Sequence, residues 1–163
     1  MDFARVRFGD WVMAFGGVAV LVAMLVDWYS IPELQLVGAV DQSVGSIGFN
    51  AWESFAVNDV ILFIAAAMAL GAFVLTASQP TAAVPLALAS LTTLVALLSL
   101  VLVVIRLIWP PDVTDGVFDV GREPGAWLGL VAVSILAAGC LASIRDERQP
   151  RPEHAAEPRL VQP

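Results

Sequence analysis

Residues 60–108 read VILFIAAAMALGAFVLTASQPTAAVPLALASLTTLVALLSLVLVVIRLI, and this stretch decides the fold. Two apolar runs, 60–77 and 82–108, are separated only by Ser78-Gln79-Pro80-Thr81. A helix needs roughly 20 apolar residues to cross about 30 Å of hydrocarbon, and both runs come close to that length or exceed it. So short a connection forces an antiparallel helical hairpin. Pro85 falls in the first turn of the second run, where a missing N–H costs little. That run is long, so it is expected to tilt or to project past the outer surface.

Working outward, two further runs complete a set of four. Residues 11–28 end at Asp27-Trp28-Tyr29, and residues 124–144 are closed by Arg145-Asp146-Glu147-Arg148. Arg5 and Arg7 precede the first run, and no small-x-small cleavage site follows it, so it reads as an uncleaved signal-anchor helix. The composition agrees. Of 163 residues, 59% are apolar and only 14% are charged, with a mean hydropathy of +0.84. Soluble domains carry about 25% charge. A water-soluble fold of this length cannot hide so much apolar surface. The expected fold is an all-α integral membrane protein, an antiparallel four-helix transmembrane bundle occupying residues 1–145. The Pro-, Glu- and Arg-rich stretch 146–163 lacks the apolar content to fold and reads as a disordered tail.

Arginine placement orients the bundle. Arg5 and Arg7 precede the first span, and Arg145, Arg148, Arg151 and Arg159 follow the last, whereas loops 27–59 and 109–123 hold only Arg122. The positive-inside rule puts both termini in the cytoplasm of a multi-pass plasma-membrane protein. Nine acids (Asp27, Glu33, Asp41, Glu53, Asp59, Asp112, Asp115, Asp119 and Glu123) then face outward against Arg106 and Arg122, so the net charge of −7 lies on the outer side. Nucleic acid is disfavoured as a partner there, since phosphate binding needs clusters of basic side chains. The bilayer is the expected partner, with another envelope protein or a second copy of the chain as further possibilities.

The first outer loop carries strand-like runs at 34–40 and 46–52 around the turn-like Asp41-Gln42-Ser43-Val44-Gly45, which predicts a small β-hairpin resting on the helix ends. Ala51-Trp52-Glu53-Ser54-Phe55 reads as a short surface helix or turn, and Asn58-Asp59 as the N-cap of the second span.

Four sets of residues invite a functional reading. Arg106 lies just inside Trp109 within an apolar run, and an intramembrane charge is a functional hypothesis by default. Asp27 and Asp59 sit at the same depth, so an outer ion pair that staples the bundle is expected, ahead of snorkelling to the headgroups. Trp28, Tyr29, Trp52, Trp109 and Trp127 cluster near the outer side, as an interfacial aromatic belt would; a lipid groove under the first loop is the sharper alternative. Gly125 and Gly129 form a GxxxG with Ser134 and Ala138 beyond it, a face suited to close helix packing or to a dimer seam. Asp112 and Glu123 have the first-to-twelfth spacing of a calcium loop, but the glycine is misplaced, so a solvated acidic loop is expected.

Cys140 and His154 lack partners at metal or triad spacing. Thr92, Thr93 and Ser99 are the best pore-lining candidates, although such hydroxyls ordinarily bond to their own helix. No catalytic residue, metal or cofactor is expected.

Three segments together resemble a group of small uncharacterised four-span membrane proteins of actinobacteria. They are Asp27-Trp28-Tyr29-Ser30, then Ala51-Trp52-Glu53-Ser54-Phe55 through Asp59, and Gly125-Ala126-Trp127-Leu128-Gly129-Leu130. The resemblance covers the helical core but not the tail, and implies a fold without an activity. The layout is also similar to the claudin-type tetraspan arrangement, but the paired first-loop cysteines of that family are absent, and the likeness is one of topology alone. The expected role is a non-enzymatic accessory or assembly component of the envelope, with a small transporter or channel subunit as the alternative.

Overall fold

The computed structural model describes residues 6–31, 34–35, 43–44, 47–54, 57–78, 83–110 and 121–147. In chain order these form α1 (Phe8–Ala23), β1 (Asp27–Ile31), β2 (Leu34–Gln35), β3 (Ser43–Val44), β4 (Ile47–Asn50), α2 (Ala51–Ser54), α3 (Asn58–Ser78), α4 (Ala83–Ile108), β5 (Gly121–Arg122) and α5 (Pro124–Glu147). The four long helices pack in a ring, α1 against α3 and α5, and α4 against α3 and α5. The sheet lies at one end of this bundle, called the sheet end below.

Three helices, α3, α4 and α5, are long and apolar enough to cross a membrane. The reason shows in the side chains of α4. Leu91, Leu94, Leu98, Val101, Ile105 and Ile108 are exposed along one helical stripe, while Thr92, Thr93, Ala96 and Ser99 are buried. A water-soluble helix has the opposite polarity, with its apolar stripe turned inward. Its buried hydroxyls are satisfied within the helix: Thr92 donates to the Leu88 carbonyl at 2.7 Å, Thr93 to Ala89 at 2.7 Å and Ser99 to Val95 at 2.8 Å.

The first span needs correction. Expected at 11–28, the helix instead covers Phe8–Ala23, 16 residues. At 1.5 Å per residue that is about 24 Å, short of the hydrocarbon thickness. Hydropathy runs on through Met24-Leu25-Val26, but the helical ladder does not. Leu25 N–H bonds to Val22 and Val26 N–H to Ala23, a tightened three-residue turn. The chain then leaves as a strand. The last helix errs the other way, running through Glu147 where an end near 144 was expected. Asp146 and Glu147, expected to begin the disordered tail, are thus helical, and the rest of that tail, residues 148–163 with His154, lies outside the described residues.

The hairpin expectation also changes. β2 pairs with β3 as a short antiparallel ladder, Leu34 opposite Val44 and Gln35 opposite Ser43. The larger sheet is three-stranded, in the order β4-β1-β5, with β1 at its centre. Its central strand comes from the residues read as the end of span one, and β5 comes from the second loop. The expected surface helix is α2. Asn50 and Glu53 cap it reciprocally, each backbone N–H donating to the other's side chain at 3.1 and 3.2 Å.

Lipid tails are as apolar as leucine, so helix association in a bilayer relies on close packing. Here glycine supplies it. A Cβ on Gly16 would lie 2.5 Å from the Leu136 backbone, and one on Gly9 or Gly139 would overlap the Ser143 or Met13 backbone. Gly17 faces Ala66 and Ala69 on α3. The α1–α5 seam is therefore a backbone-to-backbone approach from Gly9 to Gly16.

Candidate functional site at the sheet end of the bundle

Helices end with carbonyls that have no intrahelical partner. At the sheet end, the described strands satisfy several of them. A β-bulge between Asp27 and Tyr29 breaks the register of β1 against β4. Successive strand residues normally point to opposite faces. The bulge re-aims one of them, so Trp28 and Tyr29 are both buried, each only 1% exposed. Trp28 Nε1 donates to the Ala23 carbonyl at the end of α1, at 2.8 Å. Tyr29 OH donates to the Arg106 carbonyl near the end of α4, at 2.9 Å. Arg122 completes the set, its Nε donating to the Leu107 carbonyl at 2.7 Å and its Nη2 to Ile108 at 3.3 Å. Three successive carbonyls at the end of α4 are thus closed by β1 and β5. Ser30 Oγ donates to Glu123 Oε1 at 2.6 Å, and Glu123 N–H to the Trp28 carbonyl at 2.9 Å, which locks β1 to the start of α5.

Trp28 and Tyr29 therefore do not belong to an aromatic belt, a correction to the sequence reading. Trp52, Trp109 and Trp127 do present exposed rings, at 45%, 66% and 54%. Trp52 meets Phe63 with ring centroids 5.9 Å apart. Gly125 and Gly129 are buried, and their neighbours belong to the same chain. A Cβ on Gly125 would overlap the Asp27 carbonyl, and one on Gly129 the Trp28 indole. The glycine pair is the socket in which β1 and its tryptophan sit.

Of the expected ion-pair residues, Asp27 is exposed and its carboxylate lies over Gly48 across the sheet. Asp59 is buried, only 3% exposed, and the Arg106 charge acts on it favourably. Asn58 does not cap α3 as expected. The Val57 carbonyl accepts from Ile61 N–H, while both polar atoms of the Asn58 side chain, and Asp59 Oδ1, are buried without a hydrogen-bond partner among the described residues.

The far end of the bundle holds a polar cluster that the sequence reading missed. Asp10 is buried in the first turn of α1. Its Oδ2 accepts from Arg7 N–H at 3.0 Å and its Oδ1 from Ser143 Oγ at 2.5 Å. Asp146 Oδ2 accepts from Gly9 N–H at 3.1 Å. Both acids answer the unpaired N–H groups and positive dipole end of α1. The available signal was an acid in the first turn of an otherwise apolar helix.

Burial pushes the Tyr29 phenol above its ordinary value of 10.0, and the Arg106 and Arg122 charges oppose that rise. Deprotonation is therefore harder in the folded chain than in the unfolded one. The resulting stability is fully present below about pH 10, the unfolded value, and is lost as pH climbs from there through the higher folded value. Tyr29 is the sole tyrosine, so near-ultraviolet absorbance of phenolate reports this site alone. We expect the folded protein to titrate above free tyrosine, and Tyr29→Phe to lose about 0.5–1.5 kcal/mol with the hydrogen bond. Titration at or below the free value would contradict the buried placement.

Among the described residues, no three His, Cys, Asp or Glu side chains converge as metal ligands. The acidic run Asp112, Asp115 and Asp119 lies outside the described residues. Comparison with family models, with curated proteins and with solved structures finds no match to the chain.

Proposed function

We propose that the chain is a four-span plasma-membrane protein with both termini cytoplasmic, serving as a non-enzymatic accessory or assembly component of the envelope. The fourth crossing is α1, whose apolar length is extended by Met24, Leu25 and Val26 where the chain turns into the sheet. The observation that carries the reading is the sheet end itself. Strands from two distant loops are bonded to the helix termini through Trp28, Tyr29 and Arg122. Such capping makes a rigid platform on top of a closely packed bundle, which suits docking more than gating. The hydroxyls of Thr92, Thr93 and Ser99, each donating to a carbonyl of its own helix, also speak against a wet path along α4.

The second reading, a small transporter or channel subunit, is favoured by one observation: the buried Asn58 and Asp59 atoms without partners among the described residues. Site-specific photo-crosslinking in native membranes separates the two. A photoreactive residue at Trp52, on the sheet end, should give a discrete adduct with one envelope protein, while one at Leu94, on the lipid-facing stripe of α4, should give none. No adduct from Trp52, together with solute flux through vesicles containing only this chain, would favour transport.

A further inference from the structure

Asn58 and Asp59 open α3 at the sheet end and are 5% and 3% exposed. Asn58 Oδ1, Asn58 Nδ2 and Asp59 Oδ1 are buried with no hydrogen-bond partner among the described residues. Native proteins leave very few such atoms unsatisfied, and each calls for an explanation. The chemistry of the three atoms narrows what they would bind. Adjacent residues offer two acceptors and one donor. A cation would be repelled by the amide N–H and by the Arg106 charge that acts on Asp59. An anion would be repelled by the carboxylate. A neutral guest that both donates and accepts answers all three atoms.

We propose that Asn58 and Asp59 form a binding site for internal water, one or two molecules, at the sheet end of the bundle. Water donates to Asp59 Oδ1 and Asn58 Oδ1 and accepts from Asn58 Nδ2, within the two to four partners that a buried water usually takes. Acids within spanning helices commonly face a hydrated pocket or a partner charge, and the Arg106 charge acts on Asp59. The site is local: deeper in α4, Ser99 bonds to the Val95 carbonyl. It stands on burial and atom type, and is independent of the accessory reading.

Water-edited solid-state NMR of the labelled chain in phosphatidylcholine vesicles tests this. Water-proton magnetisation should reach the Asn58 side-chain amide and the Asp59 carboxyl carbon early. Leu62, on the next turn of α3 and 0% exposed, should receive it late. If Asn58 and Asp59 lag together with Leu62, the site is dry and the proposal fails. Melting of Asn58→Leu gives a second readout. Loss of a hydrated amide should lower the melting temperature by about 2–4 °C. A rise would mean that a dry, unsatisfied amide had been removed, which also overturns the proposal.

Discussion

Gly129→Leu is expected to lower the melting temperature of the isolated chain sharply, and Trp28→Ala in the same molecule to offset part of that loss. A Cβ at Gly129 would enter the Trp28 indole, which is buried beside it. The ring cannot retreat, because Nε1 is bonded to the Ala23 carbonyl. Overpacking typically costs about 1–3 kcal/mol and more where neighbours are held. Trp28→Ala alone should cost about 3–5 kcal/mol, the usual loss for a large buried aromatic. Combined, the leucine enters the space that the indole leaves, so the two costs should fall well short of adding. Thermal melts in mild detergent of the parent, both single variants and the double variant measure the coupling. Strict additivity would separate Gly129 from Trp28. Trp127→Leu is the control: its ring is 54% exposed, and the melt should barely move.

The second large effect concerns the α1–α5 seam. Gly16→Leu should separate these helices and eliminate the folded peak in size-exclusion chromatography. The obstacle is the Leu136 backbone, with Cα and N both 2.5 Å from the added Cβ. Backbone cannot rotate away as a side chain can. Gly71→Leu serves as comparison, since its nearest neighbour there is the flexible tip of Leu88 at 4.0 Å. We expect Gly71→Leu to retain the parent yield and Gly16→Leu to lose most of it. Equal yields would show that the seam tolerates side chains and that close approach is not what holds α1.

These two effects also mark where sequence reading succeeds and stops. The α3–α4 hairpin was legible within two residues at each end, because hydropathy and a four-residue turn leave one solution. The end of α1 was not. Met24, Leu25 and Val26 continue the apolar run, so composition alone extends the helix into residues that pair as a strand. The partners of β1 are β4 and, over ninety residues away, Gly121 and Arg122. No local pattern reports a pairing at that distance.

Trp28 and Tyr29 looked interfacial because aromatic residues next to a span usually are. Their burial follows from a bulge, a backbone event invisible in residue types. Gly9 and Gly16 could have been read as one helix face, seven residues apart. Their counterparts on α5 become visible only once the helices are docked. For Asn58 the sequence offered a good capping residue, but not the direction of its side chain.

The central claim is that all four long helices cross the bilayer with the sheet outside. Single cysteines at Ala4, Ser43 and Ala155, placed one at a time in a Cys140→Ala background, test it most directly with a membrane-impermeant maleimide on intact cells and on lysed membranes. The account requires Ser43→Cys to react on intact cells, and Ala4→Cys and Ala155→Cys to react only after lysis. If Ala4→Cys reacts from the same side as Ser43→Cys, α1 does not cross and the four-span account is wrong.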